Sequence, residues 1–381
     1  MTANTLTGLV PTIYKAADRV MREQIGFIGA VYLDPSAEQA ALDQTITYPI
    51  VPTMAATQVS PAAVPTEPSG QTIGYGSMSI SNVYKVPFVW RGEEEASLGA
   101  LHETVMQDQF AQAFRTLVNQ VETDLFLAAK RGGSRAYGSA GVTPFATASD
   151  LTDVAQIRKI LVDNGAWTSD MHLVLNSTSG AKIRGTQAQL FKVNEAGDAG
   201  LLRDGRLGNL EGFQLHESGQ IVQHVKGGGS AYVFNGSHAN GATSIVAKTG
   251  SGTILYGDVV TFEDDTTNKY LVNTGIAAAG TFVIGSPGNR GSTQVDGKTI
   301  TVGNSYTGNF AFERNAIHLL TRLPKLPKEG ALGEHMVVTD PFSGISFLVS
   351  MYPGYHLVIV EVSLAWGVKA VKSDAIACLL G

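Results

Sequence analysis

Between Glu94 and Arg131 the apolar positions recur in steps of mostly three or four: Leu98, Leu101, Val105, Phe110, Ala113, Phe114, Leu117, Val121, Leu125 and Ala128. That period predicts one long amphipathic helix. Glu93, Glu94 and Glu95 stand where acids favour a helix N-terminus, and Lys130 and Arg131 where bases favour a C-terminus. Gly132-Gly133 then stops it. At about 1.5 Å per residue such a helix spans roughly 55 Å, more than a small domain's diameter, so it is expected to act as a spine. Residues 1–30 also show helical spacing, at Leu6, Leu9, Ile13, Ala17, Val20 and Met21, with Pro11 placed for a first turn. Two readings stand for this segment: a helix docked on its own body, or an arm that embraces a neighbouring chain.

Other stretches change period. TITYPIVP (45–52) reads as a strand, and SMSISNVYKVPFVW (77–90) alternates as a strand does. The residues between them carry Pro61, Pro65, Pro68, Gly70, Gly74 and Gly76 and almost no charge. Together, 45–90 is expected to form a long β-hairpin or extended loop with too few apolar residues for its own core. Compact domains seldom carry long projecting loops without a use for them. A monomer would guard such an edge with charge, whereas an assembling chain can pack it on a neighbour.

Residues 150–220 read as α/β. Ser149 or Asp150 is placed to cap a helix carrying Leu151, Val154, Ile157 and Leu161, which Asn164-Gly165 ends. MHLVLN (171–176) is a strand, a short helix follows over Ala181–Phe191, and GFQLHES is a further strand. From 222 to 306 helical spacing disappears. The short runs AYVFN, TSIVAKT, TILYGDVVTF, KYLVN, TFVIG and KTITV alternate with turn clusters, which predicts a separate small β-barrel or sandwich. The chain then returns to mixed α/β and ends in GISFLVSMY, YHLVIVEVSLAW and AIACLL.

Composition narrows the function classes. The chain has 381 residues, enough for two or three domains, and 44% of them are hydrophobic. Lys plus Arg is 27 and Asp plus Glu is 33, a formal net charge of -6 that argues against a general nucleic-acid binder. Gly numbers 43, an excess that suits turns and strands. The one cysteine, Cys378, can form neither an intrachain disulfide nor a multi-thiolate metal site. No apolar run approaches 18 residues, so no membrane span is expected, and no secretory signal pattern is seen at the N-terminus.

Candidate chemistry is thin. Ser292–Thr299 reads STQVDGKT, one residue out of register with a phosphate loop and followed by a strand where that loop needs a helix. A turn at Asp296-Gly297 is preferred. The GSG at 250–252 lacks the third glycine of a dinucleotide fingerprint. Glu263-Asp264-Asp265 does not match a calcium loop and reads as a solvated turn. His318, His335 and His356 show no metal spacing and are expected to be satisfied singly. Cys378 lies among apolar neighbours and reads as a buried, inert thiol. Glu93, Glu94 and Glu95 occupy adjacent helical positions that do not face one another. No catalytic, cofactor-binding or metal-binding residue is assigned, no cofactor is expected, and the chain is not expected to be an enzyme.

Three motifs carry a family resemblance. KVPFVWRGEEEASLG (85–99) resembles the junction of extended loop and spine helix in major capsid (coat) proteins of tailed bacteriophages, the Hong Kong 97-type fold. LLRDGRLGNLEGFQLHES (201–218) resembles that family's glycine-spaced segment, in which Gly205, Gly208 and Gly212 permit tight turns before the strand starting at Phe213. NFAFERNAIHLLTRLP (309–324) resembles the segment that re-enters the capsid domain after an insertion. A β-rich insertion containing ILYGDVVTF (254–262) is similar to that of the short-tailed Salmonella phage coat group.

The resemblance implies an α+β capsid fold with an inserted β-barrel-like domain. Residues 1–32 would be an N-terminal arm. Residues 33–139 would start the peripheral domain, with the extended loop at 45–92 and the spine helix at 94–131. Residues 140–221 and 307–355 would form the axial domain, 222–306 the insertion, and 356–381 the closing strands of the axial and peripheral domains. It implies a self-assembling shell subunit of hexamers and pentamers, located in the virion capsid and assembled in the host bacterial cytoplasm. The implied partners are identical subunits, a scaffolding protein and a portal protein; packaged double-stranded DNA would be met only non-specifically, and no membrane is involved. An encapsulin-like nanocompartment shell, a β-rich adhesin or carbohydrate-binding protein and an unrecognised hydrolase are the rival readings.

Overall fold

The structure is a computed structural model that describes residues 26–50, 58, 73–98, 102–187, 208–327, 332–340 and 344–381. The described residues hold four α-helices: α1 (Gly92–Leu98), α2 (His102–Gly132), α3 (Thr152–Asp163) and α4 (Ser177–Thr186). The expected spine over 94–131 is therefore α2, preceded by a separate short helix. Residues 99–101 between them lie outside the described residues. The expected arm helix also lies outside them, up to residue 25.

α2 is amphipathic along its whole length because it serves two sheets. One is six-stranded, in the order Tyr32–Ala40, Ile317–Pro324, Leu357–Ala370, Ser346–Gly354, Glu334–Thr339, with Asn82–Arg91 on the free flank of Leu357–Ala370. Against it α2 sets Phe110, edge-on to Phe88 at 5.0 Å, and Phe114, edge-on to Phe347 at 5.0 Å. Further along the helix, Asp124 reaches the same sheet. Its carboxylate accepts from Trp366 Nε1 at 2.8 Å and Asn82 Nδ2 at 2.7 Å. At the helix's far end Phe126 meets Phe310 of the second sheet at 5.8 Å. The helix stops at Gly132, where a Cβ would lie 2.2 Å from that of Ala370, so only glycine fits against the strand.

The second sheet runs from the body into the strands of residues 232–302. Its body strands are Arg135–Tyr137, Ile376–Leu380, Tyr306–Glu313, Met171–Leu175 and Phe213–Glu217. α3 covers them with Val154, Ile157 and Leu161, all fully buried at helical spacing. Its N-terminus differs from the expected cap. Leu151 is the capping residue and makes no side-chain bond, while Asp150 instead accepts from the Thr152 N–H at 2.9 Å. α4 starts at Ser177, earlier than the expected Ala181, because Asn176 accepts from the Ser179 N–H and caps it. Glu211 and Gly212, both with positive φ, make the two-residue turn between Leu210 and Phe213.

Residues 232–302 form a closed barrel. Val259–Phe262, Thr299–Val302, Tyr232–Phe234, Ser244–Lys248, Gly280–Ile284 and Asp265–Thr274 pair in a ring, since the first and last also pair with each other. Phe234, Phe262, Tyr270 and Phe282 fill it. Phe262 stacks on Tyr270 at 4.8 Å and meets Phe234 edge-on at 4.9 Å. The barrel is not separate from the body, as the sequence pattern suggested. Lys269 and Tyr270 pair with Ala136 and Arg135, so one ladder crosses the junction. Arg135 also bonds Asn268 and Asn164, and Arg290 bonds the Asp163 carbonyl at 3.0 Å.

Two further allocations differ from expectation. Residues 82–91, expected in the projecting loop, form a ten-residue strand of the body sheet with Trp90 buried. Of residues 307–355, expected beside 140–221, only the strand Tyr306–Glu313 lies there. The strands Ile317–Pro324, Glu334–Thr339 and Ser346–Gly354 belong to the six-stranded sheet under α2. The physical reason is the switch at Arg314–Ala316, a single 3-10 turn that redirects the chain from one sheet to the other.

Phe114 is fully buried at the centre of the helix–sheet contact. Phe114→Ala is expected to cost about 3–5 kcal/mol of unfolding free energy, read from the urea midpoint, whereas Val162→Ala on the exposed side of α3 is expected to change it by less than about 0.5 kcal/mol.

Candidate functional site

The feature least explained by the needs of a single chain is the hairpin. Thr45–Ile50 pairs antiparallel with Gly74–Ser79, from Thr45 opposite Ser79 to Ile50 opposite Gly74. The sequence between Asp43 and Lys85 carries a single charged residue, Glu67. Residues 51–57 and 59–72 of this segment lie outside the described residues. On the described strands, Tyr75 is 73% exposed and Ile73, just before them, 50%.

The root of the hairpin is tied to the body by packing and by hydrogen bonds. Ile80 is buried with Ala40 and Ala365. The Asp43 N–H donates to the Ile80 carbonyl at 2.9 Å, and the Ile80 N–H donates to that of Gln44 at 3.1 Å. Lys369 Nζ donates to the Ser77 carbonyl at 2.6 Å and stands 5.9 Å from the centre of the Tyr48 ring. Tyr48 lies across the ladder from Gly76, and a Cβ at Gly76 would sit 2.3 Å from that ring. The ring therefore covers a glycine. Below it, His318 lies 6.3 Å from Tyr48 and 4.8 Å from Tyr32. Tyr32, Tyr48 and His318 line a cleft of about 630 Å³ between hairpin and body, together with Ile46, Pro49 and Lys372.

The other candidate residues are structural where the structure places them. Within 292–299, Asp296 accepts from the Gly236 N–H at 2.7 Å and pairs with Lys248, and Gly297 has a φ of 81°, so this is a turn of the barrel. Lys298 pairs with Glu263 at 3.0 Å and Asp264 at 3.1 Å, while Asp265 turns inward to Asn268 and Tyr270. The three carboxylates thus do not converge. Cys378 is fully buried, and burial pushes its thiol up, away from the reactive thiolate. His335 Nδ1 lies 2.9 Å from Ser350 Oγ. His356 occupies a turn with positive φ beside Tyr355, which is 89% exposed. Among Glu93, Glu94 and Glu95, Glu94 accepts from the Arg91 N–H at 3.2 Å and Glu95 lies 3.9 Å from His102.

Three polar groupings escaped the sequence reading. His172 Nδ1 lies 3.0 Å from His216 Nε2, and His172 Nε2 lies 2.9 Å from Asp170, whose other oxygen accepts from Arg314 Nε at 2.7 Å. Burial pushes His216 down to about 4 and lowers His172, so at neutral pH the pair is an uncharged pin between two strands. His224 Nε2 lies 2.7 Å from the buried Asp258, whose carboxylate also accepts from the Gly227 and Leu255 N–H groups. Glu122 is buried on α2 and accepts from the Gly26 and Phe27 N–H groups. A histidine inside an otherwise apolar strand, as in MHLVLN and GFQLHES, was the available signal for the first grouping. Among the described residues no three His, Cys, Asp or Glu side chains converge as a metal site, and no helix is long and apolar enough to cross a membrane.

The sequence matches no family model and no curated protein. Solved structures do match. The capsid structure of cyanophage P-SCSP1u superposes with a TM-score of 0.50 at 10% identity, over 94% of this chain and 88% of that one. This is a phage capsid fold. A chain of Mycobacterium phage Che8 gives 0.48 at 12% identity, over 93% of this chain and 91% of that one. A virus-like particle from Pyrococcus furiosus gives 0.45 at 9%, over 97% and 98%. Within this capsid fold the hairpin and the two sheets bridged by α2 are the parts to weigh for function.

Lys369→Ala removes both the bond to Ser77 and the cation beside Tyr48. The amides of 45–50 and 74–79 are expected to exchange roughly fivefold faster in hydrogen-exchange mass spectrometry, corresponding to about 1 kcal/mol, with the urea midpoint of the body unchanged.

Proposed function

We propose that the chain is the major capsid protein of a tailed bacteriophage, a subunit that assembles into an icosahedral shell around double-stranded DNA. The observation that carries this reading is the capsid fold extending over 94% of the chain. The hairpin supports it independently, since an uncharged pair of strands with Tyr75 in solvent gains most by packing on another subunit.

In finer terms the fold is read as Hong Kong 97-type, with a barrel insertion of the kind found in the short-tailed Salmonella phage coat group. The hairpin corresponds to the extended loop, α2 to the spine, the six-stranded sheet to the peripheral domain, and the α3–α4 layer to the axial domain. The chain is not an enzyme; its role is to bind copies of itself as hexamers and pentamers, a scaffolding protein and a portal. Repeated contacts in a closed shell multiply avidity, so each interface can be modest. A net charge of -6 suits an inner wall that contains DNA without gripping it. The subunit is assembled in the host cytoplasm and ends in the virion.

The test compares the full chain with a variant in which 51–73 is replaced by a short Gly-Ser turn, each co-expressed with a candidate scaffold. Sedimentation and negative-stain microscopy are expected to show shells or capsomers for the full chain. The variant is expected to give folded subunits, with an unchanged urea midpoint, that do not assemble. A full chain that stays monomeric under all conditions, or a variant that assembles equally well, contradicts the proposal.

A further inference from the structure

We propose that Glu122 is a proton-operated latch that sets how tightly the segment entering the body at Gly26 is docked. The proposal concerns the subunit itself and does not rest on the shell reading.

Docking of this segment is specific. Gly26 lies so close to the next layer that a Cβ would fall 2.6 Å from that of Ser218 and 2.8 Å from the Glu217 carbonyl. Phe27 is fully buried, parallel to Phe312 at 6.1 Å and tilted against Phe126 at 6.4 Å. Ile28, Ala30 and Val31 are buried behind it, and the Ala30 and Val31 N–H groups close a turn on the Phe27 carbonyl. The backbone N–H groups at the head of this turn point at one acceptor. Glu122 Oε1 accepts from Gly26 at 2.5 Å, and Oε2 accepts from Phe27 at 2.9 Å.

Among the described residues, no cation pairs with the carboxylate. On α2 its neighbours one turn away are Val118, Asn119, Leu125 and Phe126. On the strand Phe213–Glu217, Glu217 is paired with Arg184, and His216 with His172. His172, together with Asp170 and Arg314, lies beyond the Phe312 ring. On Tyr306–Glu313, Glu313 is engaged by Asn315 and Lys372. Asp124, the nearest acid on α2, is bonded to Trp366 and Asn82. Arg22 and Glu23 precede the turn in sequence and lie outside the described residues.

A buried, unpaired acid holds its proton more strongly than a solvated one. Burial pushes Glu122 up to about 7 from an ordinary 4.5, against the opposing pull of the backbone N–H groups. When the segment lifts away, water reaches the carboxyl and its affinity for the proton falls. Docking therefore takes up a proton between about 4.5 and 7. By linkage, docking is strongest below the lower value and weakens as pH rises through the upper one. Acid fastens the segment, and alkali loosens it.

The experiment is hydrogen exchange of the full chain at pH 5.5 and 8.5, corrected for intrinsic rates, read at amides 27–31. Wild type is expected to lose protection roughly tenfold or more at the higher pH. E122Q removes the charge and leaves one accepting oxygen in place of two, so its protection is expected to be flat with pH. Flat wild-type protection, or an equal slope in E122Q, overturns the proposal. If E122Q does not fold, carbonyl-¹³C glutamate NMR of wild type decides alone. One carboxyl titrating near neutral pH is expected, and all titrating in the ordinary glutamate range overturns it.

Discussion

A helix of 31 residues whose apolar face must be covered from end to end is the constraint on which the rest of this structure depends. Two sheets share the task of covering it. α2 rests on the six-stranded sheet through Phe110 and Phe114 and still touches it at Asp124 and Gly132, while Phe126 meets the second sheet. The two sheets thus share one core, and the chain crosses between them at Arg314–Ala316, where Ala316 stays buried. Phe27 enters the same core from the side, where Glu122 receives its backbone. A change in how α2 lies on either sheet would be felt at the hairpin root, because Leu357–Ala370 touches both α2 and Gly74–Ser79.

The two β-regions manage their edges in opposite ways. The barrel closes on itself, so its strands pair within the ring apart from the one ladder shared with the body. Closure removes edges, and the filled aromatic interior makes the barrel a rigid appendage. The six-stranded sheet stays open. Glu334–Thr339 ends it, and Asn82–Arg91 flanks it with Val83, Tyr84 and Val89 exposed. A hairpin whose described strands carry no charge is rooted in the same region. One half of the molecule is finished as a monomer, and the other half presents strand edges and apolar side chains suited to further copies.

Much of this was legible because period is a local signal. The three- and four-residue steps of 98–128 located the spine, and the six short runs of 222–306 located all six barrel strands. Gly132 ended the helix where expected, for the added reason that Ala370 leaves no room for a side chain. What failed was partnership. KVPFVW alternates whether it projects or joins a sheet, and only its pairing with Leu357–Ala370 places it in the body. Nothing local distinguishes a free barrel from one that lends Lys269 and Tyr270 to a neighbouring strand. Glu122 is an unremarked acid in a helical wheel until Gly26 and Phe27, about a hundred residues away, aim their N–H groups at it. The histidine pair was missed likewise, since 44 residues separate His172 from His216.

The central claim is that the hairpin and the open sheet find their complement in identical chains. An electron cryomicroscopy reconstruction of particles purified from cells expressing the full chain tests it most directly. The account predicts a closed shell in which the strands 45–50 and 74–79 lie across an adjacent subunit, with Tyr75 covered. A reconstruction in which these strands stay in solvent, or contact only their own body, would contradict it.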